Sequence, residues 1–134
     1  MGVVHAQLDV REDIGSVSQA RRFVRAQLSR WSISSQVIGD ALVVASELVT
    51  NALRHGLPPR RLELELSAGR LYIAVRDTGP GRPQPRPAAS AGESGRGLAL
   101  VEALGSDWGT DARPAAGKRV WCELSLPGGG PNQG

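Results

Sequence analysis

The feature that most constrains the fold is a long, strongly apolar helical pattern in the first half of the chain. From about Gln36 to His55, apolar residues recur every three or four positions and cover a wide face. These positions are Val37, Ile38, Ala41, Leu42, Ala45, Leu48, Val49 and Ala52. Gly56 followed by Pro58 ends the pattern, as at many helix C-termini. So wide an apolar face predicts a helix packed against a sheet.

Shorter patterns predict the other elements. "HAQLDVRE" alternates loosely and predicts a strand, whereas Ser16 and Gln19 have capping-box spacing and predict a helix start. "RRLELELSAGRLYIAVRDTG" and "DWGTDARPAAGKRVWCELSLP" predict two hairpins, with a short helix, "LALVEALG", before the second. This order predicts an α+β fold, a two-layer sandwich with helices on one face of a mainly antiparallel mixed sheet.

Length and composition bound the class of protein. The 134 residues predict one domain over residues 1–127 and a disordered tail at 128–134. No uninterrupted apolar run reaches the roughly 18 residues that span a bilayer, and the N-terminus lacks a secretory pattern. We therefore expect a cytoplasmic protein with no membrane partner. The single cysteine, Cys122, excludes an intrachain disulfide and is expected to be a packed thiol.

The charge raises the question of nucleic-acid binding, since the net charge is +3 and the isoelectric point is about 10. Fifteen of the 16 basic residues are arginines spread along the chain, a bias typical of a GC-rich coding sequence. We therefore expect no direct nucleic-acid partner. A nucleic-acid binder is the alternative, and it predicts binding that weakens strongly with salt.

Glu47 and Asn51 are four residues apart, so they share one stripe of the apolar helix. A solvated stripe is the plain interpretation. A carboxylate that activates a hydroxyl and an amide oxygen that completes a Mg²⁺ shell are also what phosphoryl transfer needs at neighbouring points.

Two glycine-containing segments add candidate ligand contacts. Asp77 ends a buried strand, where it can accept a hydrogen bond from an exocyclic amine such as that of adenine, and Gly79 and Gly81 let a flat base pass close. Gly95 and Gly97 precede the short predicted helix, whose free N–H groups favour an anion. An ordinary turn and a loop entering a helix are the alternatives. Between them lies a long loop rich in proline and glycine, of a kind that is functional or disordered.

In this order the segments resemble the GHKL ATPases, the Bergerat-fold family of histidine kinases, gyrase B, mismatch-repair ATPases and heat-shock chaperones. "ELVTNALRHG" looks like the N box, "DTGPG" like the first glycine box and "GRGLAL" like the second. The resemblance covers about residues 8–126. Within the family, the length and the sequence of these segments are most similar to those of the stand-alone anti-sigma-factor serine/threonine kinases of bacteria.

The resemblance implies ATP and Mg²⁺ as ligands. Asn51 would coordinate the metal, and Glu47 would be the catalytic base or the carboxylate that orients a water. Asp77 would accept the adenine amino hydrogen bond. Gly79 and Gly81 would shape the base pocket. The residues that would contact phosphate are Gly95, Arg96, Gly97 and Leu98.

The resemblance also implies partners. Such kinases hold a sigma factor and phosphorylate a serine or threonine of a STAS-domain antagonist. Relatives imply a homodimer through the first strand and first helix. The alternative from another class is a partner-switching protein that binds ATP without transferring phosphate.

One position departs from the family pattern. The family often has a threonine on the last pocket strand that supports the contact between aspartate and adenine. "GKRVWCEL" is expected to place Arg119 there, with Thr78 as a substitute source of the hydroxyl. This departure puts nucleotide affinity in question.

Overall fold

The computed structural model describes residues 2–79, 99–113 and 117–127. Within these described residues, two long helices and five strands follow one another. They are β1 (Val4–Val10), α1 (Ser16–Arg30), α2 (Ser35–His55), β2 (Arg60–Ser67), β3 (Arg70–Asp77), β4 (Asp107–Arg113) and β5 (Gly117–Ser125). Residues 99–104 are helical as well. The predicted α+β order is therefore confirmed.

The strands form one sheet in the order β1-β2-β3-β5-β4. Each pairing among them is antiparallel. The β2–β3 hairpin turns at Ala68 and Gly69, both with positive φ (51° and 78°), as a tight turn that matches strand twist requires. Leu62 lies opposite Val75, and Leu64 lies opposite Ile73, so one face of the hairpin is fully apolar. This face packs on the helices and completes the predicted two-layer sandwich.

Helix α2 forms the centre of the core, as its apolar pattern predicts. Its buried residues are Val37, Ile38, Ala41, Leu42, Val44, Ala45, Leu48, Val49 and Ala52. By length and composition alone α2 is apolar enough to cross a membrane. Its burial against the sheet and α1 gives that composition a packing role.

The two helices begin differently, and one start corrects a sequence prediction. At α2, the Ser34 side chain caps the helix by accepting a hydrogen bond from the Val37 N–H at 3.3 Å. At α1 the capping box is wrong: Gly15 is the N-cap, and Ser16 is already the first helical residue. The Ser16 hydroxyl is buried, with no hydrogen-bond partner among the described residues.

Some predictions fall outside the described residues. These are the long loop beyond residue 79, including Gly81 and the segment Gly95, Arg96, Gly97 and Leu98, together with the tail at 128–134. Cys122 is described, and its side chain is fully buried among core residues. The prediction of a packed thiol is confirmed.

Candidate functional site

The carboxylate of Asp77, at the end of β3, is buried and held by several donors. Its side chain is only 2% exposed. Three donors converge on one oxygen, Oδ1: the Gly79 N–H at 2.7 Å, the Lys118 ammonium at 3.0 Å and the Leu57 N–H at 3.4 Å. Since Leu57 lies two residues after the last residue of α2, these bonds tie the end of β3 to the C-terminal end of the central helix.

Glycines on two sides make room for the side chain and the main chain of Asp77. A Cβ on Gly56 would overlap Asp77 Oδ2, so the helix end packs directly on that oxygen. Gly117 has a φ of +85°, and a Cβ there would overlap the Asp77 carbonyl oxygen. The position of Asp77 therefore depends on glycine at the end of α2 and at the start of β5.

Lys118 is the cationic partner of Asp77, whereas the sequence analysis had expected Arg119 at the position of the last pocket strand that faces this aspartate. Lys118 shares the buried face of β5 with Val120 and Cys122, and its side chain is 4% exposed. Arg119 points to the opposite face because side chains alternate along a strand. There it lies 3.2 Å from Asp111 Oδ2 and 3.8 Å from Glu63 Oε1.

Thr78 does not take the role proposed for it either. Its hydroxyl donates to the Pro58 carbonyl oxygen at 2.7 Å and has a longer contact of 3.4 Å with the Leu57 carbonyl oxygen. It therefore holds the connection between α2 and β2, and the bonds to Asp77 Oδ1 come from other groups.

Arg60 is a structural contributor that the sequence analysis missed. Its side chain is 3% exposed, and its guanidinium donates to the carbonyl oxygens of Ala52 at 2.8 Å and Gly56 at 2.9 Å. It thereby caps the carbonyl end of α2, where a cation is also favoured by the helix dipole. A third bond, at 3.2 Å, reaches the carboxylate of Glu12. The sequence signal that could have identified this role was the spacing of Arg60 two residues before Leu62 and four before Leu64, which places Arg60 on the core face of β2.

Glu47 and Asn51 lie one turn apart on α2, and both are half-buried among residues that are otherwise core. Asn51 precedes Gly56 by five positions, about 7–8 Å along the helix axis. The structure thus brings Asp77 to the C-terminal end of the helix that carries both polar side chains.

This arrangement agrees with a family match that covers most of the chain. Residues 10–122 match the profile of the histidine kinase-like ATPase domain. The chain belongs to this family. Such an ATPase domain implies ATP binding. No curated protein matches the chain significantly.

Solved structures share the fold of this histidine kinase-like ATPase domain, among them the following two. One contains the RsbU and RsbW domains of Rv1364c from Mycobacterium tuberculosis, with a TM-score of 0.66 and 23% identity. The match covers 94% of this chain and 33% of that one. The other is the histidine kinase domain of the blue-light-activated kinase EL346 from Erythrobacter litoralis, with a TM-score of 0.53 and 19% identity, covering 87% and 64%. The chain therefore spans about a third and about two thirds of these structures.

The described residues fit an ATP site in two respects. Asp77 offers a buried carboxylate at the end of a core strand. Helix α2, earlier in the chain, offers the amide of Asn51 and the carboxylate of Glu47. Within residues 2–79, 99–113 and 117–127 no group of three or more His, Cys, Asp or Glu could hold a metal. A Mg²⁺ ion would therefore take one or two oxygens from these residues and the rest from phosphate and water, as it commonly does.

Proposed function

We propose that this histidine kinase-like ATPase domain is an ATP-dependent protein serine/threonine kinase of the anti-sigma-factor type. The observation that carries the proposal is the buried carboxylate of Asp77 against the end of α2, the helix of Glu47 and Asn51. The resemblance of the N box and the glycine boxes supports it. So does the likeness in fold to a structure that contains an RsbW domain.

In this proposal each described polar residue has one role. Asp77 accepts a hydrogen bond from the amino group of adenine, beside Gly79. Asn51 supplies an oxygen to Mg²⁺, which when bound neutralises charge on the phosphates. Glu47, one turn earlier, lies nearer the transferred phosphoryl group. Gly81, Gly95, Arg96, Gly97 and Leu98 would complete the base pocket and the phosphate contacts.

The reaction is a direct transfer. The hydroxyl oxygen of a partner serine or threonine bonds to the γ-phosphorus while the bond from that phosphorus to the β–γ bridging oxygen breaks, and ADP leaves. Glu47 accepts the proton of the hydroxyl, a contribution of roughly 10²- to 10⁴-fold in rate for general-base catalysis. The protein supplies mainly position and charge, because the γ-phosphoryl group needs little covalent assistance.

The partners in this proposal are a sigma factor, which the domain sequesters, and a STAS-domain antagonist, which it phosphorylates. The proposed location is the cytoplasm, and the proposed assembly is a homodimer through β1 and α1. No direct nucleic-acid or membrane contact is part of the proposal.

A second candidate function is favoured by one observation. The ammonium of Lys118 already holds the Asp77 oxygen on which the other donors converge. Because this contact opposes adenine binding, it favours a partner-switching protein, which needs no turnover of ATP, over a kinase that depends on turnover. Glu47 favours the kinase, since binding alone does not require that carboxylate.

Transfer of labelled γ-phosphate to purified STAS-domain proteins separates the two candidates. The kinase predicts a labelled serine or threonine, with at least 100-fold slower transfer by Glu47→Gln and unchanged transfer by Glu65→Gln, an exposed glutamate on β2. ATP binding without transfer to any STAS-domain protein would support the partner-switching protein, the second candidate function. Equal rates for wild type and Glu47→Gln would remove the proposed base.

A further inference from the structure

The hydrogen-bonding capacity of Asp77 is already in use where a base would need it. Oδ1 has about two lone-pair directions, yet it lies within 3.4 Å of three donors, on Gly79, Leu57 and Lys118. Oδ2 faces the backbone at Gly56 so closely that a methyl group there would overlap it. A further donor can therefore reach this carboxylate through Oδ1 only by replacing one of those three.

Of the three donors, only Lys118 can withdraw without a change in the backbone. The Gly79 and Leu57 groups are main-chain N–H groups on the two segments that flank the carboxylate. The ammonium sits at the end of a flexible four-carbon chain. Its further contact with the described residues is a long bond of 3.5 Å to the His55 carbonyl oxygen.

The ammonium also takes up the space beside the first glycine after Asp77. A Cβ added to Gly79 would lie 2.7 Å from Lys118 Nζ. This is the space that the lack of a Cβ at Gly79 would otherwise leave for a flat base. Lys118 thus occupies both the acceptor and the room that the amino edge of adenine requires.

We propose that Lys118 is the affinity-determining residue of the base site, because its ammonium competes with the amino group of adenine for Asp77 Oδ1. The inference rests on the proposed role of Asp77 in binding ATP. Binding of adenine replaces an ion pair, in which donor and acceptor are both charged, by a hydrogen bond from a neutral amine to the same carboxylate, which is the weaker contact. ATP binding to the wild type is therefore weakened by the displacement of Lys118.

Calorimetric titration with Mg·ATP tests the competition in the full chain. Lys118→Thr, which keeps a small hydroxyl donor, is expected to bind Mg·ATP at least tenfold more tightly than the wild type. Arg119→Thr is the matched control, because it removes the adjacent cation from the other face of β5, and it is expected to bind within twofold of the wild type.

A second measurement needs no variant, because Lys118 is the only lysine in the chain. Trace acetylation followed by mass spectrometry reports the reactivity of this amine, with the N-terminal amine as internal reference. Lys118 is expected to react slowly in the free protein, where its side chain is 4% exposed. Saturating Mg·ATP is expected to raise its reactivity at least fivefold.

The outcomes separate this inference from the function on which it rests. Tighter binding by Lys118→Thr together with ATP-induced exposure of the amine supports the competition. Weaker or equal binding by Lys118→Thr, or an amine that ATP protects, means that Lys118 contacts the nucleotide and overturns it. If neither the wild type nor Lys118→Thr binds millimolar Mg·ATP, the proposed function is wrong, and the inference falls with it.

Discussion

Lys118 and Arg119 are neighbours on β5, but the two faces of the sheet give them different surroundings. Lys118 points toward the helices, where its ammonium and the carboxylate of Asp77 are both nearly inaccessible to water. Arg119 points to the open face, the side of the sheet that also carries Glu63 and Arg76. Its side chain is 28% exposed, and that of its partner Asp111 is 55% exposed.

The comparison shows that the face of the sheet, more than the kind of residue, decides how much the loss of an ion pair changes the stability of the fold. Exposed pairs contribute about 0–1 kcal/mol because water and salt screen them. A buried pair is costly to assemble but also costly to break, since removal of one partner leaves an unpaired charge out of water. Substitution of a charged residue on the helix face should therefore destabilise the fold strongly, whereas substitution on the open face should have little effect.

The largest expected effect is on the helix face, at the buried pair itself. Asp77→Asn leaves the Lys118 ammonium without its counter-charge and should lower the free energy of unfolding by about 3–5 kcal/mol. Urea unfolding followed by circular dichroism measures this loss. The control on the open face is Asp111→Asn, with an expected loss of at most about 1 kcal/mol. Equal losses would contradict the contrast between the faces.

The next effect repeats the comparison on β2, where Arg60 faces the helices and Arg61 faces the opposite side. Arg60→Met removes two charge-assisted bonds to the end of α2 and should cost about 3 kcal/mol. Arg61→Met should change stability by less than about 0.5 kcal/mol, because its side chain is 47% exposed. Thermal unfolding of both variants gives the difference, and similar midpoints would remove the capping role of Arg60.

A smaller effect is expected from the backbone that orients Lys118. Gly117→Ala places a side chain at a φ of +85° and against the Asp77 carbonyl oxygen, which should cost about 1–3 kcal/mol. Gly39→Ala is the opposite case, since an added Cβ meets nothing within 4 Å on an exposed position of α2. It should stabilise the fold by about 0.5–1 kcal/mol. Urea unfolding midpoints that shift in the same direction for Gly117→Ala and Gly39→Ala would contradict the requirement for glycine at position 117.

The smallest effect concerns Cys122, which follows Lys118 on the helix face. Burial raises the pKa of its thiol to about 12, with smaller contributions from Glu123 and Asp107. The thiol should therefore be inert to a disulfide reagent at pH 8 in the folded protein and react fully in urea.

The pH dependence of stability has a definite sign for this thiol. Between about pH 9 and 12 the folded state keeps the Cys122 proton while the unfolded state releases it, so the free energy of unfolding falls as pH rises. Below pH 9 the thiol contributes no slope. Cys122→Ala should show a shallower decline than the wild type over pH 9–10.5, and parallel declines would contradict the raised pKa.

Much of the fold followed from periodicity in the sequence. The apolar pattern of α2, the two hairpins and the position of Asp77 at the end of a buried strand were all predictable, because they depend on local alternation. The family resemblance added the roles of Glu47 and Asn51, which stay predictions here. Gly15 shows a limit: Ser16 has capping-box spacing, but the helix begins one residue earlier in the chain than the pattern indicated.

The confusion of Arg119 with Lys118 has a physical cause. A family motif aligns residues along the chain, but the face of a strand depends on strict alternation, and an error of one residue reverses it. Val120, Cys122 and Leu124 gave the correct parity for Lys118. The pairing with Asp77 across β3 and β5 still needed the structure, since the register between distant strands is a tertiary property.

The central claim is that ATP binds where the end of β3 meets the end of α2. A titration of ¹⁵N-labelled wild-type protein with Mg·ATP, followed by two-dimensional NMR, tests it without any variant. Binding at this place should give the largest shifts among the described residues at the amides of Leu57 and Gly79, which donate to Asp77, and at Asn51. Shifts confined to the open face, around Glu63 and Arg119, or no shifts at all with millimolar Mg·ATP, would contradict it.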